Sequence, residues 1–442
     1  MKILCPSPVT GLQKKKTDAP LRLMHYVVQQ EVDEGVLLYN TLTCALALVT
    51  HEEAAHLTMV EELADHWFLV PEKHDDKRLC KLLKLGIRLQ KQRPQGIRKY
   101  TILTTTGCNA RCAYCFEQGT RPVHMTMETA EKVAQHIIAH RGEHEKVQID
   151  WFGGEPLFNV KVMDRISQRL QENGVRFFSR ITTNGLLFGE KMVEKAMQLW
   201  NVKRVQITID GTEEKYNRIK AYVHPGTKNP YQRVMENTKR LLETNKIRVH
   251  IRIHPTQDNL TDIHRLTEEL VEQFKGYDKL RIYFHPIFEL FGPAAQKRTP
   301  EQRQAIYDEK RRLQKYVKDM GIGAKKRGVP KELLLNQCMV DSEDAIMILP
   351  DGNLGLCEHH LEDHFIGHID NEEWDQEAMK QMREYCDEIP ECDTCAYYPR
   401  CYRLKICNVL NICFKEWRED NIETIRQKML AEYDIIKKEQ KK

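Results

Sequence analysis

The sequence predicts an α/β fold: a partial barrel of six β/α repeats, preceded by a small winged α+β module and followed by a cysteine-rich domain. Three observations carry this reading. Strand-like and helix-like stretches alternate from Tyr100 to about residue 320. Before them, residues 24–95 show short strand-like runs and then helical ones. After them, eight of the 14 cysteines fall between Cys338 and Cys413. The expected segments are 1–95, 96–325 and 326–442. A chain of 442 residues is long enough for one large domain and two small ones.

In the first segment the runs HYVVQQEV, GVLLYN and CALALV have strand character. An amphipathic stretch opens at Thr50-His51-Glu52-Glu53, and a Lys/Leu-rich helix is expected around Asp76–Lys91. The charged stretch KQRPQGIRK (91–99) reads as a linker. In the second segment the strands are TILTTT (101–106), KVQIDWF (146–152), FFSRIT (177–182), RVQITI (204–209), RVHIRI (248–253) and LRIYFH (280–285). Helical stretches such as TAEKVAQHIIAHR, EKMVEKAMQLW, YQRVMENTKRLLET and IHRLTEELVEQF separate them. Six such repeats imply a parallel sheet, closed or half-closed into a TIM-like (β/α)6 barrel with its working loops at the strand C-termini. Residues 336–415 hold little apolar core and would need metal to hold them together. A helix from Glu416 to Ile436 closes the chain.

Composition narrows the function classes. No run approaches the ~18 apolar residues of a membrane span, and the N-terminus lacks an apolar signal region, so a cytoplasmic protein without a membrane partner is expected. Net charge is +4, from 68 basic and 64 acidic residues spread along the chain. A nucleic-acid protein would carry a concentrated basic stripe, so nucleic acid is not expected as a partner. Lys14–Lys16 and Lys437–Lys442 read as solvated ends.

Fourteen cysteines in a reducing compartment point to metal or redox chemistry rather than disulfides. Cys5, Cys44 and Cys80 are scattered and read as small buried hydrophobes. Cys108, Cys112 and Cys115 stand together after the first barrel strand, in Gly107-Cys108-Asn109-Ala110-Arg111-Cys112-Ala113-Tyr114-Cys115. Three thiolates at this spacing suit a [4Fe–4S] cube in which each binds one iron, leaving the fourth iron open to a small molecule. Structural zinc closes with four ligands, and no fourth Cys or His stands close by in sequence.

The C-x3-C-x-aromatic-C loop after the first strand resembles the radical S-adenosylmethionine (SAM) superfamily. Further motifs follow in order on successive strand ends. Gly153-Gly154-Glu155-Pro156 resembles the turn whose backbone oxygens receive the methionine amino group, where glycine permits close approach. Thr182-Thr183-Asn184-Gly185 stands where family members contact ribose and carboxylate. Asp210 ends the fourth strand and Arg252 sits on the fifth, while Tyr114 and Phe116 are placed beside cluster and adenine. The resemblance implies a 5′-deoxyadenosyl radical that removes a hydrogen atom from substrate, with the protein excluding solvent and oxygen. It also implies an electron donor such as a flavodoxin or ferredoxin.

Downstream, Cys338-x13-Gly352-x4-Cys357, then Cys386, then Cys392-x2-Cys395-x5-Cys401-x5-Cys407-x5-Cys413 resembles the SPASM extension, which carries two auxiliary [4Fe–4S] clusters. The interval from Cys401 to Cys407 is longer than the family's C-x3-C, and no cysteine lies between Cys115 and Cys338. The resemblance assigns Cys392, Cys395, Cys401 and Cys413 to one cluster and Cys338, Cys357 and Cys407 to the other. The fourth position of the latter is either Cys386 or open to a substrate thiolate. A zinc knuckle at Cys392-x2-Cys395 is the alternative.

SPASM enzymes mostly modify peptides, and the N-terminal module is similar to the winged domains that capture a precursor peptide by strand addition. A structural cap is its alternative reading. The expectation is a maturase of a ribosomally made peptide (RiPP), forming a thioether or other cross-link. A second expectation is a sulfatase-type maturase making formylglycine, in which Glu358 stands where that subfamily has its proposed catalytic base. A third is an iron–sulfur regulatory protein that binds SAM without turnover.

Overall fold

The computed structural model describes residues 1–7, 19–91, 96–287, 298–323, 328–333, 335, 338–371, 373–407 and 411–440. The run Lys14–Lys16, part of the expected linker at 91–99, and Lys441 and Lys442 lie outside the described residues. Among the described residues no helix is long and apolar enough to cross a membrane.

The N-terminal strands are β1 (Lys2–Cys5), β2 (Leu21–Leu23), β3 (Val27–Val32), β4 (Gly35–Asn40) and β5 (Leu46–Val49). They form an antiparallel sheet in the order β1-β5-β4-β3, while β2 pairs with β6 (Leu69–Pro71). Thr50 caps α1 (His51–Ala55) in a reciprocal box with Glu53, but the amphipathic stretch then breaks into short pieces, including α2 (Glu62–Asp65). α3 (Asp76–Lys91) forms where the Lys/Leu pattern places it. Every residue of β4 is buried. Val36 and Leu38 pack with the module's own Leu63, Phe68 and Cys80, whereas Leu37 and Tyr39 pack with Ile425, Met429 and Tyr433 near the C-terminus. The sheet is therefore covered on both faces. The scattered Cys5, Cys44 and Cys80 are all buried, as read.

The barrel follows. Its elements are β7 (Lys99–Thr105), α4 (Met127–His140), β8 (Val147–Gly153), α5 (Val160–Glu172), β9 (Phe177–Thr183), α6 (Glu190–Gln198) and β10 (Val202–Thr208), then α7 (Glu213–Lys220), α8 (Pro230–Glu243), β11 (Arg248–Ile253), α9 (Leu260–Phe274) and β12 (Leu280–Phe284). Neighbours in sequence are neighbours in the sheet, all parallel. Among the described residues β12 and β7 do not meet, so the barrel is partial. A fully covered parallel sheet reads as unbroken apolar runs. The strands β9 to β12 instead alternate, because one face packs on the helices and the other lines an open concavity. In β11 Val249, Ile251 and Ile253 are buried, while Arg248, His250 and Arg252 stand on the opposite face.

α10 (Pro300–Asp319), opened by a Thr299/Gln302 capping box, covers the β12 side. The cysteine-rich segment is not set apart from the barrel. Its β13 (Ala345–Ile348) pairs in parallel with β7, and β14 (Asn353–Gly355) and β15 (Gly367–His368) extend the same sheet to nine strands. α11 (Gln376–Met382) follows, and α12 (Lys415–Gln440) runs back to pack on β3 and α10.

Candidate active site

At the C-terminal end of β7 the backbone leaves the sheet under side-chain control. The Thr105 hydroxyl accepts from Gly107 N (2.8 Å), and the Thr106 hydroxyl donates to Arg121 O (2.7 Å) and accepts from Val123 N (2.8 Å). This brings Cys108, Cys112 and Cys115 around one cavity of about 170 Å³, shared with Glu117. Burial pushes the Cys108 thiol up to about 12 and Cys115 up to about 11, each raised further by neighbouring thiolates. Cys108 Sγ accepts from Ala110 N at 3.4 Å, and Asn184 Nδ2 lies 3.9 Å from it. Glu117 Oε2 is buried without a hydrogen-bond partner, and burial raises that carboxyl to about 8.

The Gly153-Gly154 turn lies directly against this loop. A Cβ on Gly154 would stand 2.4 Å from Gly107 O, and Gly153, at φ +120°, would place one 2.1 Å from Thr105 O. Gly154 N and Glu155 N donate to Thr105 O and Gly107 O. The Glu155 carboxylate is fully buried and accepts from the Thr183 hydroxyl (2.8 and 2.9 Å), Asn184 N (2.8 Å) and Leu157 N (3.1 Å). Burial raises it to about 7 against those hydrogen bonds. Glu155 thus ties the ends of β8 and β9 together, and Pro156 O accepts from Thr104 Oγ1 behind it.

Beneath the loop sits a buried ionic group of which motif reading named Tyr114 and Asp210 but not Lys220 or His254. Tyr114 donates to Asp210 Oδ2, Lys220 Nζ lies 2.9 Å from the Tyr114 oxygen and 3.3 Å from Asp210, and His254 Nδ1 is 2.9 Å from Asp210 Oδ1. Burial works to raise the Asp210 carboxyl, but the Lys220 and His254 charges hold it well below the carboxylate range. Burial works to lower Lys220, yet Tyr114, Cys112 and Asp210 raise it well above its ordinary value. Lys220 O also accepts from Arg111 N, so this one residue anchors the loop by side chain and backbone. Asp210 was visible at a strand end, whereas Lys220 closes a helix and His254 follows a strand with no motif around them. Arg252 sits on the inner face with its Nε buried and unpartnered.

The downstream cysteines fall into two sets. Cys392, Cys395, Cys401 and Cys413 line one cleft with Tyr397, Tyr398 and Trp417. Cys338, Cys357 and Cys407 form the other: the charge of Cys407 raises both Cys338 and Cys357, beneath the larger effect of burial. Cys386 also feels Cys407, and its Sγ donates to Asn411 O at 3.7 Å. Glu358 is half-buried beside Cys357 and near enough to Asp150, on the barrel's inner face, to raise it. Phe116 of the first loop meets His359 edge-on at 4.4 Å. His360, also unpredicted, is 3.0 Å from Asp363 and 3.2 Å from Ile406 O, joining the Cys357 and Cys407 segments. Among the described residues only His360, Asp363 and His364 bring three His, Cys, Asp or Glu ligand atoms within 4.8 Å of one another. A single zinc ion would hold its thiolates about 3.8 Å apart.

Residues 102–274 match the Radical SAM superfamily. GTP 3′,8-cyclase of Clostridium perfringens is 26% identical over 298 residues, which cover 64% of this chain and 88% of that protein. The chain spans about 40% of the length of the first curated relatives it matches. Among solved structures, native anSMEcpe with bound AdoMet aligns at a TM-score of 0.57 and 13% identity, over 77% of this chain and 99% of that one. Streptococcus suis SuiB bound to precursor peptide SuiA aligns at 0.54 and 13%, over 86% and 94%. At such identity these likenesses establish the fold.

Proposed function

The chain carries a radical SAM domain over residues 102–274, and from that premise we propose that it is a SPASM-type peptide maturase, which takes a hydrogen atom from a ribosomally made peptide and forms a thioether or other cross-link. A radical SAM domain implies a [4Fe–4S] cluster and SAM. The residues present fit both: three thiols share one cavity, a glycine turn lies against the loop with no room for a Cβ, and the sulfurs are too widely set for one ion. Cys108, Cys112 and Cys115 would hold the cluster. Gly153, Gly154, Thr183, Asn184, Asp210 and Arg252 would border SAM on this reading, with Tyr114 and Phe116 of the loop beside the cluster and adenine. When bound, the group supplies a 5′-deoxyadenosyl radical.

The chain's own part is positional and electrostatic. Ala110 N and Asn184 donate toward Cys108 Sγ, which favours its thiolate. The Lys220 ammonium offsets the charge of Cys112 and is held in place by Asp210. Phe116 against His359 packs apolar surface over the seam between loop and C-terminal segment, limiting water there.

The observation that carries the peptide reading is the sorting of the downstream cysteines into two sets drawn from distant positions. We assign Cys392, Cys395, Cys401 and Cys413 to one auxiliary cluster, and Cys338, Cys357 and Cys407 to the other, with Cys386 at or near its fourth position. Such sites relay electrons between a ferredoxin- or flavodoxin-type donor and the barrel. Among the described residues the β3 edge pairs with β4 alone, apart from Arg426, which donates to Gln29 O, and such an edge suits strand addition by a precursor peptide. Formylglycine formation is the second reading, favoured by Glu358, which stands beside Cys357 and near Asp150 of the inner face. Co-expression with a short peptide encoded beside the gene, read by mass spectrometry, separates them. Loss of two hydrogens per modification with the cysteine sulfur retained and no reaction with a hydrazide supports a cross-link; loss of sulfur from cysteine, or a hydrazide-reactive loss of two hydrogens at serine, supports formylglycine; an unchanged peptide speaks against both.

A further inference from the structure

The net charge of the chain conceals a local concentration. The inner face of the barrel presents Arg180 on β9, Arg204 on β10, Arg248, His250 and Arg252 on β11, and Arg281 on β12. They lie in register: Arg180 is opposite Arg204, Arg204 opposite Arg248, and His250 opposite Arg281. One carboxylate from the barrel strands answers them, Asp150 on β8, at 3.9 Å from Arg180. Among the described residues Arg204, Arg248, Arg252 and Arg281 form no ion pair, and Arg281 rests over the Tyr283 ring at 5.5 Å. Burial, then Arg204, Arg281, Arg248 and Arg180, push His250 down to about 4, so it adds no charge near neutral pH. Burial and the adjacent Arg180 likewise work to lower Arg204. Guanidiniums held together this way, with Asp150 as the one carboxylate on the barrel strands to answer them, repel one another until a further anion arrives.

We propose that this face is the seat for an acidic stretch of the peptide substrate, whose carboxylates pair with Arg180, Arg204, Arg248 and Arg281. The inference rests on the maturase reading and adds a substrate class to it. Strands lie about 4.8 Å apart, so the row from β9 to β12 spans about 14 Å. An extended chain covers that distance in about four residues, with alternate side chains on one side. Arginine suits planar carboxylates, which it grips through two parallel hydrogen bonds. A triphosphate is more compact than this row and calls on backbone N–H groups at a helix N-terminus or glycine loop, whereas these arginines project from strands, Arg248 from the first residue of β11 and Arg281 from the second of β12.

The test uses the anaerobically reconstituted full chain and fluorescence anisotropy. The probe is a labelled peptide of about eight residues alternating Asp and Gly; its Asn counterpart and GTP serve as competitors. The Asp peptide binds at least about tenfold more tightly than the Asn peptide, and added salt weakens it. Arg204→Gln and Arg281→Gln each weaken binding by about tenfold. Arg281 is exposed, so its variant keeps the fold even if Arg204→Gln does not. Arg233→Gln, an equal charge change on the exposed outer face of α8, leaves binding unchanged. Equal binding of both peptides overturns the seat, as does an equal loss in Arg233→Gln. Displacement by GTP with the same arginine dependence and no Asp preference assigns the face to a nucleotide instead. A mass-shifted co-expressed peptide whose modification ignores Arg204 and Arg281 overturns the seat and leaves the maturase reading. Arginine-dependent Asp-peptide binding with no mass shift in any peptide keeps the seat and removes the maturase.

Discussion

Lys220, 2% exposed, and Asp210, 1% exposed, form an ion pair out of reach of water, with Tyr114 and His254 as their further partners and, among the described residues, no second carboxylate paired with Lys220. Lys220→Met leaves Asp210 buried with only Tyr114 and His254 to answer its charge, and breaking such a pair costs about 3–5 kcal/mol. Denaturant titration of Lys220→Met should show a loss of that size, with iron content falling as the Cys112 loop loses its anchor; wild-type stability would contradict it. Glu155 gives a pH prediction. Its carboxyl is raised to about 7 in the folded state, so between about 4.5 and 7 the native protein holds a proton that the unfolded chain has released. Stability therefore falls as pH rises through that window, by about 3 kcal/mol for this group. Glu155→Gln should flatten that part of the stability profile, and equal slopes in both proteins would remove the assignment. The cysteines and the glycine turn were legible in the sequence because their spacing is local. Lys220, His254 and His360 were not, since each acquires its role through a contact across the fold.

At the scale of elements, the strands were legible because each is a short apolar or alternating run ending where a loop takes over. What the alternation meant was missed: the polar positions of β8 to β12 share one concave face, and a repeated Arg reads as solvated surface until the sheet curves. The turn after β8 supports a prediction at this scale. Gly154→Ala places a Cβ 2.4 Å from the Gly107 carbonyl, so the backbone of one of the two segments must move. Iron incorporation should stay near wild type, because no thiol is lost, while SAM affinity drops at least about tenfold in equilibrium binding. Unchanged SAM affinity would show that the turn is scaffolding alone.

At the scale of the molecule, the segments expected at 1–95 and 326–442 prove to share a core. Leu37, Tyr39 and Leu46 of the first pack with Ile425, Met429 and Tyr433 of the last, and β13 adds to the barrel sheet beside β7. Contacts between residues nearly 400 positions apart have no local signature, so neither join could be read from the sequence. Met429→Ala opens a cavity in that shared core and should cost about 2–5 kcal/mol in a denaturant melt. The isolated segment 1–95 should expose the second face of β4 and bind a hydrophobic dye; a stable, dye-silent fragment would contradict the shared core. On the proposed reading, radical generation at Cys108, Cys112 and Cys115 is the step that the other two cysteine sets serve. The most direct test is the yield of 5′-deoxyadenosine when the anaerobically reconstituted chain is given dithionite and SAM. The account predicts clear product from the wild type and none from the Cys108→Ala, Cys112→Ala, Cys115→Ala triple variant, which should keep the iron of its downstream sites. Equal yields from the two proteins, or none from either, would contradict it.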